Sequence, residues 1–375
     1  MTQQIILNND KEYSDFQKYI LDKGVKSIFL VCGKSFYGLK IGSFFRNLVS
    51  KQGIRVVQFN DFTPNPTYES IEKGIMLLKE SKCELIIAAG GGSTMDVAKC
   101  IKLYHTMDSK INYLEQTIVP NELPLMVIPT TAGSGSEATR FAVIYYRGVK
   151  KSVVHESCIP EAVLFDDSVL DTLPIYQRKA TMLDALCHAL ESYWSVNSTQ
   201  ESKSYSKEAI RNILGNYDLF LKNDSLGNKS LLLAANLAGK AINITQTTAG
   251  HAMCYKLTGL YGLAHGHAAA LCVYVLWKYM LSHTENCIDY RGETYLQQVF
   301  LELAEIMNEK SAEKAVEQFG NMLNKMEMEV PDISELEYAI LRDSVDPVRL
   351  KNNPVKLSES VIELLYRDIE SLLKN

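Results

Sequence analysis

The chain has 375 residues, 46% of them hydrophobic and 22% charged, with a formal net charge of −5 at pH 7. That length sets an expectation of two domains, and that composition an ordinary globular protein with enough apolar side chains for a large core. The negative balance argues against nucleic acid or an anionic membrane as the main partner, so an anionic substrate would need a local cationic pocket.

The opening stretch MTQQIILNNDKEYSDF is polar and has no signal-peptide core, and no apolar run approaches the roughly 20 residues of a membrane span. Eight Cys without a CxxC pair read as reduced thiols, so a cytoplasmic location is expected. Short β-rich runs then alternate with helical stretches: SIFLVCG (27–33), RVVQF (55–59), LIIAA (85–89) and LMVIPTT (125–131). Strands spaced by helices predict a parallel sheet covered on both faces. After about residue 175 only helical periodicity remains. The expected architecture is an α/β domain over 1–175 followed by an all-helical domain over 176–375.

Within the first half, LIIAA runs into GGGSTMDVAK, so that Gly90, Gly91 and Gly92 precede a helix beginning at Ser93 or Thr94, with Asp96 in its first turn. Glycines let backbone amides approach a ligand, and a helix N-terminus offers unpaired N–H groups and a positive dipole end. The arrangement suits a pyrophosphate, although neither GxGxxG nor GK[ST] is present. A tight glycine turn without a ligand is the plain alternative. A second small, hydroxyl-rich loop, PTTAGSGSEAT (129–139), follows the next strand. Loops at strand C-termini are where open α/β sheets bind ligands.

In the helical half, TMLDALCHALESYW (181–194) places Asp184 and His188 four residues apart on one helix face. A satisfied Asp–His hydrogen bond in the core and half of a metal site both explain the pair. GHAMCYKLTGLYGLAHGHAAALC (250–272) adds His251, His265 and His267, with Gly259 and Gly262 breaking the segment. Separate helices can aim His251 and His265 at Asp184 and His188. One carboxylate and three imidazoles suit Fe, Zn, Mn or Co without choosing among them.

Taken in this order and spacing, GGGSTMDVAK, PTTAGSGSEAT, DALCHALESY and GHAM…AHGHA resemble the iron-dependent (group III) alcohol dehydrogenase family over essentially the whole chain. The resemblance implies a parallel-sheet nucleotide-binding domain, a helical metal domain, and NAD(P)-dependent interconversion of an aldehyde and an alcohol. Carried over by position, it implies metal ligands Asp184, His188, His251 and His265, with Fe2+ preferred and Zn2+ or Mn2+ as alternatives. For NADPH or NADH it implies Gly33, Lys34, Gly90, Gly91, Gly92, Ser93, Asp96, Thr130, Thr131, Ser134 and Lys151. A homodimer acting on a small-molecule aldehyde, with neither nucleic acid nor membrane as partner, is also implied.

Finer stretches, among them GSEATRFAVIYY, HESCIP, LESYWSVNSTQES and RLKNNPVKLSE, are similar to the phosphonoacetaldehyde reductase branch. Four residues after His251, where most of the family has another His, this chain has Tyr255. His267 and Tyr255 are the candidate proton donors by position. NAD-preferring members carry an Asp after the first parallel strand; Gly33 and Lys34 stand there instead, so NADPH should serve at least as well as NADH. Arg140, joined by Arg349 and Lys351, is expected to bind an anionic substrate group, with a surface role or a salt bridge to Glu137 as the alternative for Arg140. Three other readings stand beside this one: a general short-chain alcohol or diol dehydrogenase, a lyase resembling dehydroquinate synthase, and a non-catalytic metal- or nucleotide-binding protein.

Overall fold

The computed structural model describes residues 4–10 and 12–371. Its described residues up to Leu173, together with Asn223–Leu232, form one compact unit; Pro174–Lys222 and the described residues from Leu233 onward form a second.

In the first unit the elements run β1 (Ile5–Asn8), α1 (Ser14–Asp22), β2 (Ser27–Cys32), α2 (Lys40–Gln52), β3 (Arg55–Phe59), α3 (Tyr68–Ser81), β4 (Leu85–Gly90), α4 (Gly92–Tyr104), β5 (Leu125–Pro129), β6 (Phe141–Tyr146), β7 (Val149–Val154) and β8 (Ala162–Phe165). Six strands form a parallel sheet in the order β1-β8-β5-β4-β2-β3, while β6 and β7 make a separate antiparallel hairpin. The strands β2, β4 and β5 are buried along their whole length, as a parallel sheet flanked by helices requires. Helix α4 is buried on nearly every residue after its first turn, and its Met95, Val97, Ala98 and Ile101 share one core with Phe29, Val31, Ile86 and Val127 of the sheet. The chain leaves β2 for β3 on one side, then crosses to β4 on the other. The topological switch point therefore lies between β2 and β4, and the crevice beyond their C-terminal ends is where such sheets take ligands.

The second unit is helical. It contains α5 (Ile175–Trp194), α6 (Gln200–Leu221), most of α7 (Ser225–Thr245), α8 (Ala249–Tyr261), α9 (His265–Ser282), α10 (Glu293–Ile306), α11 (Ala312–Lys325), α12 (Glu335–Asp343), α13 (Pro347–Leu350) and α14 (Glu359–Ser371). Thr199 and Ser202 close a capping box at the start of α6, and Ser334 and Glu337 close one at α12, each satisfying N–H groups the helix leaves unpaired. Helices α5 and α9 pack along each other through Trp194 and Trp277, whose rings are 5.5 Å apart.

Candidate functional site

At the C-terminal end of β4 the chain turns at Gly90 and Gly91 and enters α4 at Gly92. The second loop lies directly against this turn: Thr130 N–H donates to the Gly90 carbonyl at 3.0 Å. A Cβ on Gly90 would sit 2.2 Å from Thr94 Oγ1, one on Gly91 3.2 Å from Thr131 Oγ1, and one on Gly92 3.2 Å from Ser134 Oγ. Close approach thus excludes a side chain at Gly90 and leaves little room for one at Gly91 and Gly92, and the first N–H groups of a 13-residue helix lie at the switch-point crevice. Gly33 follows β2 at the neighbouring strand end; it is exposed, as is Lys34, and a Cβ there meets nothing within 4 Å.

The structure places the other nucleotide-loop candidates differently. Asp96 accepts a hydrogen bond from Ser136 Oγ at 3.2 Å, and burial pushes its carboxyl up to about 6 against the attraction of Lys99. The Lys99 ammonium is fully buried and reaches the carbonyls of Ser136 (2.7 Å), Phe141 (2.8 Å) and Thr139 (2.9 Å), which ties the second loop to α4. Asp96 and Lys99 therefore brace the loop from inside. Lys151 lies exposed on β7, opposite Ile144 of β6.

In the helical unit, Asp184 and His188 project from the same face of α5, and His251 arrives from the first turn of α8; one ligand atom from each of the three lies within 4.8 Å of the others. Around Asp184 Oδ1, Nε2 of His251 stands at 3.4 Å, that of His265 at 3.8 Å and that of His188 at 3.9 Å. Donors held 2.0–2.2 Å from a common ion in tetrahedral array are themselves about 3.4 Å apart. His265 opens α9 and is more exposed than the other three. Two glycines make the convergence possible. A Cβ on Gly266 would fall 2.0 Å from the Ala180 carbonyl, and one on Gly250 would fall 2.5 Å from Val273, so each glycine beside a ligand histidine lets its helix close onto a neighbour.

Glu191, one turn beyond His188, completes the arrangement. Fully buried, it accepts from His251 Nδ1, from the Thr248 hydroxyl at 2.5 Å and from the backbone N–H groups of Thr248 and His251 at 3.2 and 3.3 Å. Burial opposes its ionisation, but the charge and hydrogen bonds of His251 and Thr248 hold its carboxyl below the ordinary value. With Nδ1–H committed to Glu191, the lone pair of His251 Nε2 faces the Asp184 carboxylate. That contact is repulsive unless a cation lies between the two atoms or Nε2 takes a proton. Burial likewise opposes the Asp184 charge, and the surrounding His188, His265 and His251 still hold its carboxyl below the usual range. The residues present therefore fit a divalent metal. Sequence reasoning missed Glu191, although its spacing of three from His188 puts it on the same side of α5.

Tyr255, one turn after His251, stacks on the His265 ring at 5.4 Å and accepts a hydrogen bond from Arg349 Nη1 at 2.9 Å. Burial raises its phenol further than Arg349 lowers it, so it stays protonated. His267 points elsewhere on α9: it is buried, its Nδ1 lies 3.1 Å from the Tyr176 hydroxyl, and burial lowers its imidazole. The Tyr176 oxygen also accepts from Ala264 N–H at 3.0 Å. Arg140, just before β6, pairs with Glu156 at 3.0 Å and lies over the Phe141 ring. Lys351 is exposed at the end of α13.

Two family models match the chain. One described as iron-containing alcohol dehydrogenase covers residues 3–167, and one described as the C-terminal part of the Fe-containing alcohol dehydrogenase family covers residues 179–369. Long-chain-alcohol dehydrogenase 1 of Geobacillus thermodenitrificans is 28% identical over 92% of this chain and 89% of the relative. The 1,3-propanediol dehydrogenase of Klebsiella pneumoniae is 27% identical, over 92% and 91%. Among solved structures, the sulfoacetaldehyde reductase of Bifidobacterium kashiwanohense in complex with NAD+ superposes with a TM-score of 0.87 at 23% identity, covering 99% of this chain and 98% of its own. Among the described residues, no helix is long and apolar enough to cross a membrane.

Proposed function

This chain belongs to the iron-containing alcohol dehydrogenase family, and from that premise we propose that it reduces a short anionic aldehyde, phosphonoacetaldehyde before others, to the alcohol with NADPH or NADH. The observation that carries a redox reading is the buried group Asp184, His188 and His251, with His265 beside it. When bound, a divalent metal there supplies Lewis-acid polarisation of a carbonyl oxygen, and reduced nicotinamide is the hydride source.

The chain's own residues prepare that chemistry. Asp184 contributes the negative charge and His188, His251 and His265 the neutral donors. Glu191 fixes the tautomer of His251, so that Nε2 is presented as a lone pair. In the other unit, Gly90, Gly91 and Gly92 open the first turn of α4 to a pyrophosphate. The end of β2 offers no carboxylate to repel a 2′-phosphate, and Lys34 stands beside Gly33, which supports use of NADPH. Arg349 and the exposed Lys351 beside it support an anionic substrate, whereas Arg140 already pairs with Glu156. The names of the alcohol and propanediol dehydrogenases at 27–28% identity favour a second reading, a neutral alcohol or diol as substrate.

The test is turnover by purified protein of phosphonoacetaldehyde, lactaldehyde, succinic semialdehyde and butanal with each nicotinamide. Aldehyde-dependent loss of nicotinamide absorbance without release of inorganic phosphate is expected; phosphate release would instead indicate a lyase resembling dehydroquinate synthase. Metal content is measured alongside. If His265→Ala retained full occupancy and turnover, the four-ligand assignment would fail.

A further inference from the structure

Arg349 is a cation of the helical unit that has no ion pair among the described residues. It sits half-buried on α13 and makes two hydrogen bonds, both through Nη1, to Tyr255 Oη at 2.9 Å and Thr247 Oγ1 at 3.1 Å. Among the described residues no carboxylate lies within ion-pair distance of it. Among the described residues, its hydrogen bonds are made by Nη1 and none by Nε or Nη2. Arg140, Arg291, Arg342 and Arg367 each have an Asp or Glu partner. A partly buried guanidinium facing neutral hydroxyls alone bears a desolvation cost that an anion would relieve.

Its position is fixed rather than incidental. Asn352, three residues on, donates to the Thr247 carbonyl at 3.1 Å, accepts from Asn197 Nδ2 at 3.0 Å, and receives Val196 N–H on its own carbonyl at 3.1 Å. These bonds clamp the end of α13 over the entry to α8. Along α8, His251 and Tyr255 are four residues apart and share one face, and Thr247 lies just before the Thr248 N-cap of the same helix. Tyr255 also stacks on His265. Tyr255 therefore bridges His265 and Arg349, with its ring against the first and its hydroxyl against the guanidinium of the second.

We infer that Arg349, with the hydroxyls of Thr247 and Tyr255 as its supports, binds the anionic group of the substrate and makes this enzyme specific for aldehydes whose oxyanion lies close to the carbonyl. The inference rests on the proposed reading of the chain as a reductase of anionic aldehydes. The open edge of the guanidinium, Nε and Nη2, matches two oxygens of a phosphonate or sulfonate. Because a single side chain, Tyr255, reaches from His265 to Arg349, an anionic group held there belongs to a short aldehyde. Tyr255 occupies the place where a second histidine would put another imidazole beside the metal donors. Its hydroxyl instead orients Arg349, a positioning role.

The experiment compares kcat/KM for phosphonoacetaldehyde and for butanal in the wild type, Arg349→Met, Arg349→Lys and Arg140→Met, and measures inhibition by ethylphosphonate as a non-reacting probe. Expected are a wild type that prefers the anionic aldehyde, a fall of at least ~10-fold in that preference for Arg349→Met, carried mainly by KM, and a matching rise in the ethylphosphonate inhibition constant. Arg349→Lys, which keeps the charge and loses the fork, should recover part of the preference. Equal losses on both substrates, or a larger loss of preference in Arg140→Met, would overturn the assignment. A wild type that reduces butanal better would overturn the anionic-aldehyde reading, and this assignment with it; an unaltered preference in Arg349→Met would overturn the assignment alone.

Discussion

Glu191 accepts a hydrogen bond from His251 Nδ1–H, and the opposite nitrogen of that ring lies 3.4 Å from Asp184. Two carboxylates on one helix thus act at different depths. Asp184 offers an oxygen to the cluster, while Glu191 never reaches it and controls which lone pair does. Replacing Glu191 by Gln keeps the shape but sets an amide N–H₂ against a ring N–H or the donors of Thr248. Metal affinity should fall roughly 10- to 100-fold, as for other carboxylates that orient a metal-bound histidine. Titration of apoprotein with Fe2+ or Zn2+ reads this directly, and unchanged affinity would deny Glu191 the role.

Gly266 and Gly259 make a contrast within one region. A methyl group on Gly266 meets the Ala180 carbonyl and Asp184, whereas one on Gly259 meets nothing within 4 Å. Gly266→Ala should destabilise by roughly 1–3 kcal/mol or more and lower metal content, because α9 must retreat from α5 and take His265 with it. Gly259→Ala, in the interior of α8, should be neutral or stabilise by about 0.5–1 kcal/mol. Denaturant unfolding with metal analysis tests both, and a metal-replete, fully stable Gly266→Ala would contradict the packing account.

Cofactor choice is testable at Gly33. The open space around this residue and its ordinary backbone conformation let a larger side chain enter without a clash. Gly33→Asp should therefore fold normally and shift the NADPH/NADH ratio of kcat/KM toward NADH by repelling a 2′-phosphate. If the ratio stays the same, the end of β2 does not contact the adenosine ribose.

Asp96 gives the first unit a pH signature. Its carboxyl is raised from 3.8 to about 6 by burial. Between those values the folded chain holds a proton that the unfolded chain has released, so stability from this group is present below pH 3.8 and lost as pH rises through about 6. Asp96→Asn should remove that downward slope from the pH dependence of unfolding. A slope identical to the wild type's would show that Asp96 titrates normally.

What the sequence determined by itself was local. A strand ending in three glycines before a helix is legible in LIIAAGGGSTMDVAK, because each residue's conformational preference acts on its immediate neighbours. The spacing of Asp184 and His188 is legible for the same reason: helix periodicity alone puts them on one face. The tertiary structure decided which partners those residues meet. His251 and Asp184 are 67 positions apart, and they come together because Gly250 and Gly266 permit helices to touch, a property of the packed surface opposite each glycine. The same holds for the cations. Arg140 and Arg349 are equivalent as letters, yet β7 leads into Glu156 beside the first, while the second, beside the bend clamped by Asn352, donates to hydroxyls and to no carboxylate among the described residues. Charge becomes chemistry through its counter-ion and its solvation, and both are set by distant segments that the fold brings alongside.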